Sequence, residues 1–167
     1  MTFAQKRKPV RQPNTSNTTV QTDTVKVDYK SVGSSMPPFR MVTMKGKSVT
    51  GKDLQNDANL FVMIFNPFCE HCGDQAELFK QDAALFKQSK LVLITASTMM
   101  PNLEYFENTH PTAAYTAIIT GVDSSGFIDK TFLYNNLPQI NIYDKDRKLL
   151  RVFTGDVPMD SLKAYIE

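Results

Sequence analysis

Residues 60–66, LFVMIFN, form an uninterrupted apolar run, and three positions later stands Cys69-Glu70-His71-Cys72. A run this short, built largely of branched and aromatic side chains, predicts a strand covered on both faces. Behind the cysteines, Ala76, Phe79, Ala83 and Phe86 recur at helical spacing, with Leu78 and Leu85 beside them. That pattern predicts an amphipathic helix. A buried strand leading through two thiols into a helix requires helices packed on a sheet, and it places the thiols at the strand's exit.

A thiol at the start of a helix meets unpaired backbone N–H groups and the positive end of the helix dipole. Both favour thiolate. A protonated His71 adds to the effect and Glu70 opposes it, so the expected pKa of Cys69 lies below the free value of about 8.5. Cys72 stands almost one helical turn further on, where it can bond to Cys69 without refolding. It is expected to point inward. Cys69 is therefore read as the attacking nucleophile and Cys72 as the resolving thiol. Two cysteines cannot build a disulfide framework. A structural zinc site needs four ligands, and the chain offers at most Cys69, Cys72, His71 and His110 with no second paired motif. A purely structural disulfide here would close a very short loop and add little stability. The expectation is redox exchange with no bound metal.

The remaining pattern predicts one domain. The chain has 167 residues, enough for a single core, and no apolar run approaches the ~20 residues needed to span a bilayer. Residues 1–35 are polar and basic and cannot bury enough surface to offset their ordering, so they are expected to be flexible. Lys6, Arg7, Lys8, Arg11, Lys26 and Lys30 face only Asp23 and Asp28 there, which leaves the rest of the chain slightly negative. The tail lacks the interleaved aromatics of a nucleic-acid surface. Thr2-Phe3-Ala4 before Gln5 has the small-x-small pattern that ends a secretory signal peptide, which favours export. From residue 36 the pattern is globular. It predicts a hairpin turning at Lys45-Gly46-Lys47, a second buried strand at 91–96, and a helix from Pro101. A short strand at 117–123 follows, then a hairpin from QINIYD and KLLRVFTG around 145–148. A last helix is expected, capped by Asp156 or Asp160. Phe39, Phe61, Phe65, Phe79 and Phe86 are read as core, Phe68 as a docking surface, the scattered methionines as packing, and His110 as a loop residue without a role.

These motifs resemble the thioredoxin superfamily, most closely the extracytoplasmic thiol–disulfide oxidoreductases similar to TlpA and ResA. The resemblance covers about residues 36–167. It is carried by the strand–Cys69-Glu70-His71-Cys72–helix unit, the hairpin before it, and Leu137-Pro138 opening the strand QINIY. It implies an α/β fold, a central mixed sheet flanked by helices with an N-terminal hairpin added. It also implies a cis bond before Pro138, with Leu137 and Pro138 presenting backbone to an extended substrate beside Phe68. Departures are Phe68 where the family usually has Trp, Met63 where thioredoxin buries an acid, and Gln75 where ResA-like members carry Glu. Proton transfer at Cys72 then has no obvious carboxylate; Asp74 and Glu77 read as solvated. His71 matches oxidases and isomerases, whereas the TlpA-like scaffold implies reduction, and reduction is the expected direction.

The chain thus reads as a monomeric thiol–disulfide oxidoreductase of an extracytoplasmic compartment. It acts on protein thiols and disulfides, without bound cofactor, with a membrane or soluble redox partner. Two rivals are a non-catalytic peptide- or metal-binding module and a thiol peroxidase. The peroxidase pattern places Thr three residues before its cysteine, where this chain has Asn66.

Overall fold

The structure, a computed structural model, describes residues 1–2, 28–131 and 136–166. The expectation of flexibility for residues 3–27, and the signal-like Phe3-Ala4, lie outside the described residues.

The apolar run becomes strand β3 (Leu60–Ile64), every residue of which is buried. It pairs in parallel with β4 (Lys90–Thr95), which pairs in parallel with β5 (Ile118–Asp123). The predicted N-terminal hairpin forms β1 (Arg40–Thr43) and β2 (Ser48–Thr50), turning at Gly46 with φ 73°, a backbone that glycine adopts without a Cβ penalty. β1 runs antiparallel along β5. On the other side of β3, β6 (Gln139–Tyr143) and β7 (Leu149–Thr154) form the predicted C-terminal hairpin. The result is one seven-stranded mixed sheet, in the order β2-β1-β5-β4-β3-β6-β7.

The period-2 alternation of β3 divides its side chains between two cores. Phe61 and Met63, with Phe65 beyond the strand, meet α1 (Glu70–Gln81), α2 (Met100–Thr109) and α4 (Met159–Lys163). Leu60, Val62 and Ile64 meet the hairpin and α3 (Phe127–Thr131) on the opposite face. The phenylalanines predicted as core are all buried. Phe61 and Phe79 both meet Phe86 edge-on, at 5.2 and 5.8 Å, each ring contributing roughly 1.5–3 kcal/mol by burial.

Three features differ from expectation. α1 stops at Gln81, and Ala83–Phe86 is a separate 3₁₀ turn that still delivers Phe86 to the core. α3 had no helical pattern because it has only five residues; the Asp123 carboxylate starts it by accepting the Ser125 and Ile128 N–H groups, each at 2.8 Å. The fold's hydrogen bonding also begins inside the segment assigned to the tail. Gly33 N–H donates to Leu149 O at 2.7 Å, and Leu149 N–H to Ser34 O at 2.8 Å. The polar turn at 145–148 hides a buried cation, since the Arg147 guanidinium donates to Ala58 O, Asp144 O, Leu54 O and Asn56 Oδ1. It ties the β6–β7 turn to the loop that feeds β3.

Candidate active site

β3 ends against a turn built by Asn66. Its side chain accepts the Phe68 N–H at 2.9 Å and its carbonyl accepts the Cys69 N–H at 3.0 Å. This turn aims Cys69 at the N-cap of α1, with extended backbone (φ −87°, ψ 113°). Its sulfur takes the place of the usual capping oxygen, accepting the Cys72 N–H at 3.3 Å. Cys69 is half-buried, whereas Cys72 is fully buried in the core cluster on the α1 side of the sheet. Burial first, then the adjoining Cys69, pushes the Cys72 thiol pKa well above its ordinary value. Both cysteines are thiols. One sulfur is reachable and capped by an N–H, while its neighbour is enclosed and protonated.

The Leu137–Pro138 peptide bond is cis. It brings Leu137 O to 4.0 Å from Cys69 Sγ across the C-terminal end of β3. Asn66, Phe68, Cys69 and Leu137 line an open depression of about 350 Å³. Phe68 is 63% exposed and stacks at 5.6 Å on Tyr105 of α2, itself 55% exposed. Tyr105 was not anticipated, because nothing in the sequence links position 105 to position 68. Another cavity, of about 540 Å³ around Phe86–Lys90 and Ala114–Ala117, lies at the other end of the parallel strands and contains no thiol.

The loop between β7 and α4 completes the site. Asp156 does not cap α4, whose N-cap is Pro158 with no side-chain bond. It pairs with His71 at 2.9 Å, both side chains being largely exposed. Next to it, Val157 N–H donates to Gln75 Oε1 at 3.1 Å, and Gly155 N–H donates to Pro138 O at 2.9 Å. One loop is thereby bonded to the cysteine helix and to the cis-proline strand. Gln75 is buried and structural on its oxygen side, with no carboxylate in its place. Asp74 is exposed, as expected, and so is Glu70.

Two expectations are corrected. His110 is not a loop residue without a partner: its Nδ1 lies 2.9 Å from Glu77 Oε1, and its ring rests on Gly73, the residue after Cys72. Glu77 is not simply solvated. Lys80 first, then His110, hold its carboxyl below the usual carboxylate range.

No family profile and no curated protein sequence matches the chain. Solved structures do. A candidate protein disulfide isomerase of Bacteroides thetaiotaomicron superimposes with a TM-score of 0.67 at 16% identity, over 80% of this chain and 86% of the other. The thioredoxin domain of a Bacteroides vulgatus thiol–disulfide oxidoreductase gives 0.65 at 15% identity, over 82% of this chain and 99% of the other. A secreted Mycobacterium tuberculosis disulfide oxidoreductase gives 0.60 at 19% identity, over 76% and 92%. The chain has a thioredoxin-like fold, the type on which thiol–disulfide oxidoreductases are built.

Proposed function

We propose that this protein is a thiol–disulfide oxidoreductase that reduces protein disulfides through Cys69 and Cys72. One observation carries the reading: a reachable, N-capping Cys69 stands one turn from an enclosed Cys72 and 4.0 Å from the carbonyl of a cis Leu137–Pro138 segment. The Cys69 thiolate attacks a substrate disulfide, forming a mixed disulfide and releasing one substrate thiolate. Cys72 gives up its proton, attacks Cys69 Sγ and releases the second substrate thiolate. Two electrons pass to the substrate and the Cys69–Cys72 disulfide remains. The electrons reside in the cysteine pair, so no bound cofactor is needed. Leu137 and Pro138 offer backbone to the substrate strand, and Phe68 offers an apolar face.

The reducing direction is the one the resemblance to TlpA-like proteins implies; Asp156 holds the His71 imidazole at 2.9 Å beside the cysteine pair. An extracytoplasmic site of action, with a membrane or soluble reductant, accords with a structural neighbour that is secreted. Among the described residues no helix is long and apolar enough to cross a membrane.

The test is equilibration with defined thiol buffers, counting thiols. A two-electron transition near or below about −250 mV is expected. Cys69→Ser abolishes turnover of a protein disulfide, and Cys72→Ser accumulates mixed disulfides. A transition above about −200 mV makes the protein an oxidant or isomerase. Absence of any reversible transition refutes the redox reading, and stoichiometric peroxide consumption transfers the chemistry to a peroxidase.

A further inference from the structure

The aromatic pair Phe68–Tyr105 is exposed beside the reachable thiol, and an exposed glutamate stands within two residues of each ring in the chain. Glu70 follows Cys69, and Glu104 precedes Tyr105; both are exposed. Past His71, Asp74 and Asp156 line one small cavity at the next turn of α1. The segments that build this surface are residues 66–79, 96–109, 136–138 and 154–162. Taken on to residues 80, 110 and 163, they hold seven Asp and Glu against two Lys, Lys80 and Lys163, which are paired with Glu77 and Asp160; His71 and His110 are paired with Asp156 and Glu77. The chain as a whole carries 19 Lys and Arg against 17 Asp and Glu, so the surface around the thiol departs sharply from the average.

Resting on the redox reading above, we infer that this surface selects substrates in which a Lys or Arg adjoins the reacting cysteine. A cationic side chain laid over the Phe68 and Tyr105 rings gains a cation–π contact. Glu70 and Glu104, exposed and close to them in the chain, add attraction for the charge. The surrounding negative potential steers such a partner toward Cys69 and slows an anionic one, an effect that salt screens within about 10 Å at 0.1 M. The aromatic pair alone would accept any apolar neighbour. The surplus of carboxylates around it is what commits it to a positively charged one.

Three symmetrical small disulfides test this: cystamine with two ammonium groups, neutral 2-hydroxyethyl disulfide, and 3,3′-dithiodipropionate with two carboxylates. The reduced protein is mixed with each, and formation of the Cys69–Cys72 disulfide is timed. Each rate is divided by that probe's rate with free dithiothreitol, which removes its intrinsic reactivity. The expected normalised preference for cystamine over dithiodipropionate is about tenfold or more at low ionic strength, shrinking severalfold in 0.5 M salt. Glu104→Gln lowers the preference about twofold to threefold, and Tyr105→Ala lowers it as well. Asp57→Asn, at the opposite end of the sheet, leaves it unchanged. Equal normalised rates for the three probes, or a preference that salt does not alter, overturn the inference and leave the redox reading standing. Failure to react with any of the three overturns both.

Discussion

Gly73→Ala probes how closely the cysteine helix is packed. An ideal Cβ at position 73 would lie 2.4 Å from His110 Nε2, 2.7 Å from Cε1 and 3.2 Å from Cδ2. Ordinary carbon contacts begin near 3.5 Å, so the imidazole must retreat by about 1 Å. It is held by Glu77 at 2.9 Å and lies 5.2 Å from the Phe106 ring, which in turn stacks on Phe65 at 4.4 Å. Overpacking of this kind costs about 1–3 kcal/mol. Alanine in a helix interior returns about 1 kcal/mol relative to glycine. The single variant should therefore lose about 0–2 kcal/mol. With His110→Ala the space opens, and Gly73→Ala should then stabilise by about 1 kcal/mol. The coupling between the two sites is about 1–3 kcal/mol, read from urea unfolding of the four proteins in a double-mutant cycle. If Gly73→Ala has the same effect in both backgrounds to within about 0.5 kcal/mol, the steric account is wrong. A poorly folded single variant still tests it, because the double variant must then recover.

Stability of the reduced protein should fall as pH rises above the ordinary thiol value of 9.0, because burial holds the Cys72 pKa higher in the folded chain. Above that value the folded state keeps a proton that the unfolded state has lost. Buried Tyr143 adds the same trend above its ordinary 10.0 in both redox states. Urea midpoints between pH 8 and 10.5 should drop more steeply for the dithiol than for the Cys69–Cys72 disulfide, and parallel profiles would contradict this. Gly121→Ala places a Cβ 2.5 Å from Val42 O, a backbone atom that cannot move without breaking the β1–β5 ladder. A loss of about 2–3 kcal/mol is expected in urea unfolding, and a neutral outcome would show that β1 can shift.

Much of the fold was legible because its signals are local. The uninterrupted run before Asn66 announces a strand buried on both faces. The helical recurrence of Ala76 and Phe79 announces α1, and Gly46 and the 145–148 run announce turns. The placement of the two cysteines between strand and helix was legible as well. α3 was illegible because five residues cannot display a 3.6-residue period, and its start depends on the buried Asp123 carboxylate. The end of α1 at Gln81 was equally hidden, since Ala83 and Phe86 continue the apolar spacing through a different geometry.

The chain alone thus determined the paired cysteines and the strand–helix unit that presents them, since both rest on residues close together in the sequence. Tertiary structure decided everything that surrounds the pair. Asp156 reaches His71 across 85 positions because a loop after the last strand folds back over the cysteine helix. Tyr105 joins Phe68 because α2 follows the neighbouring parallel strand and emerges at the same end of the sheet. His110 settles on Gly73 only because the residue after Cys72 has no side chain. Such contacts obey no sequence spacing. They exist because strand order places the ends of β3, β4, β6 and β7 together, and a linear reading carries no term for that proximity.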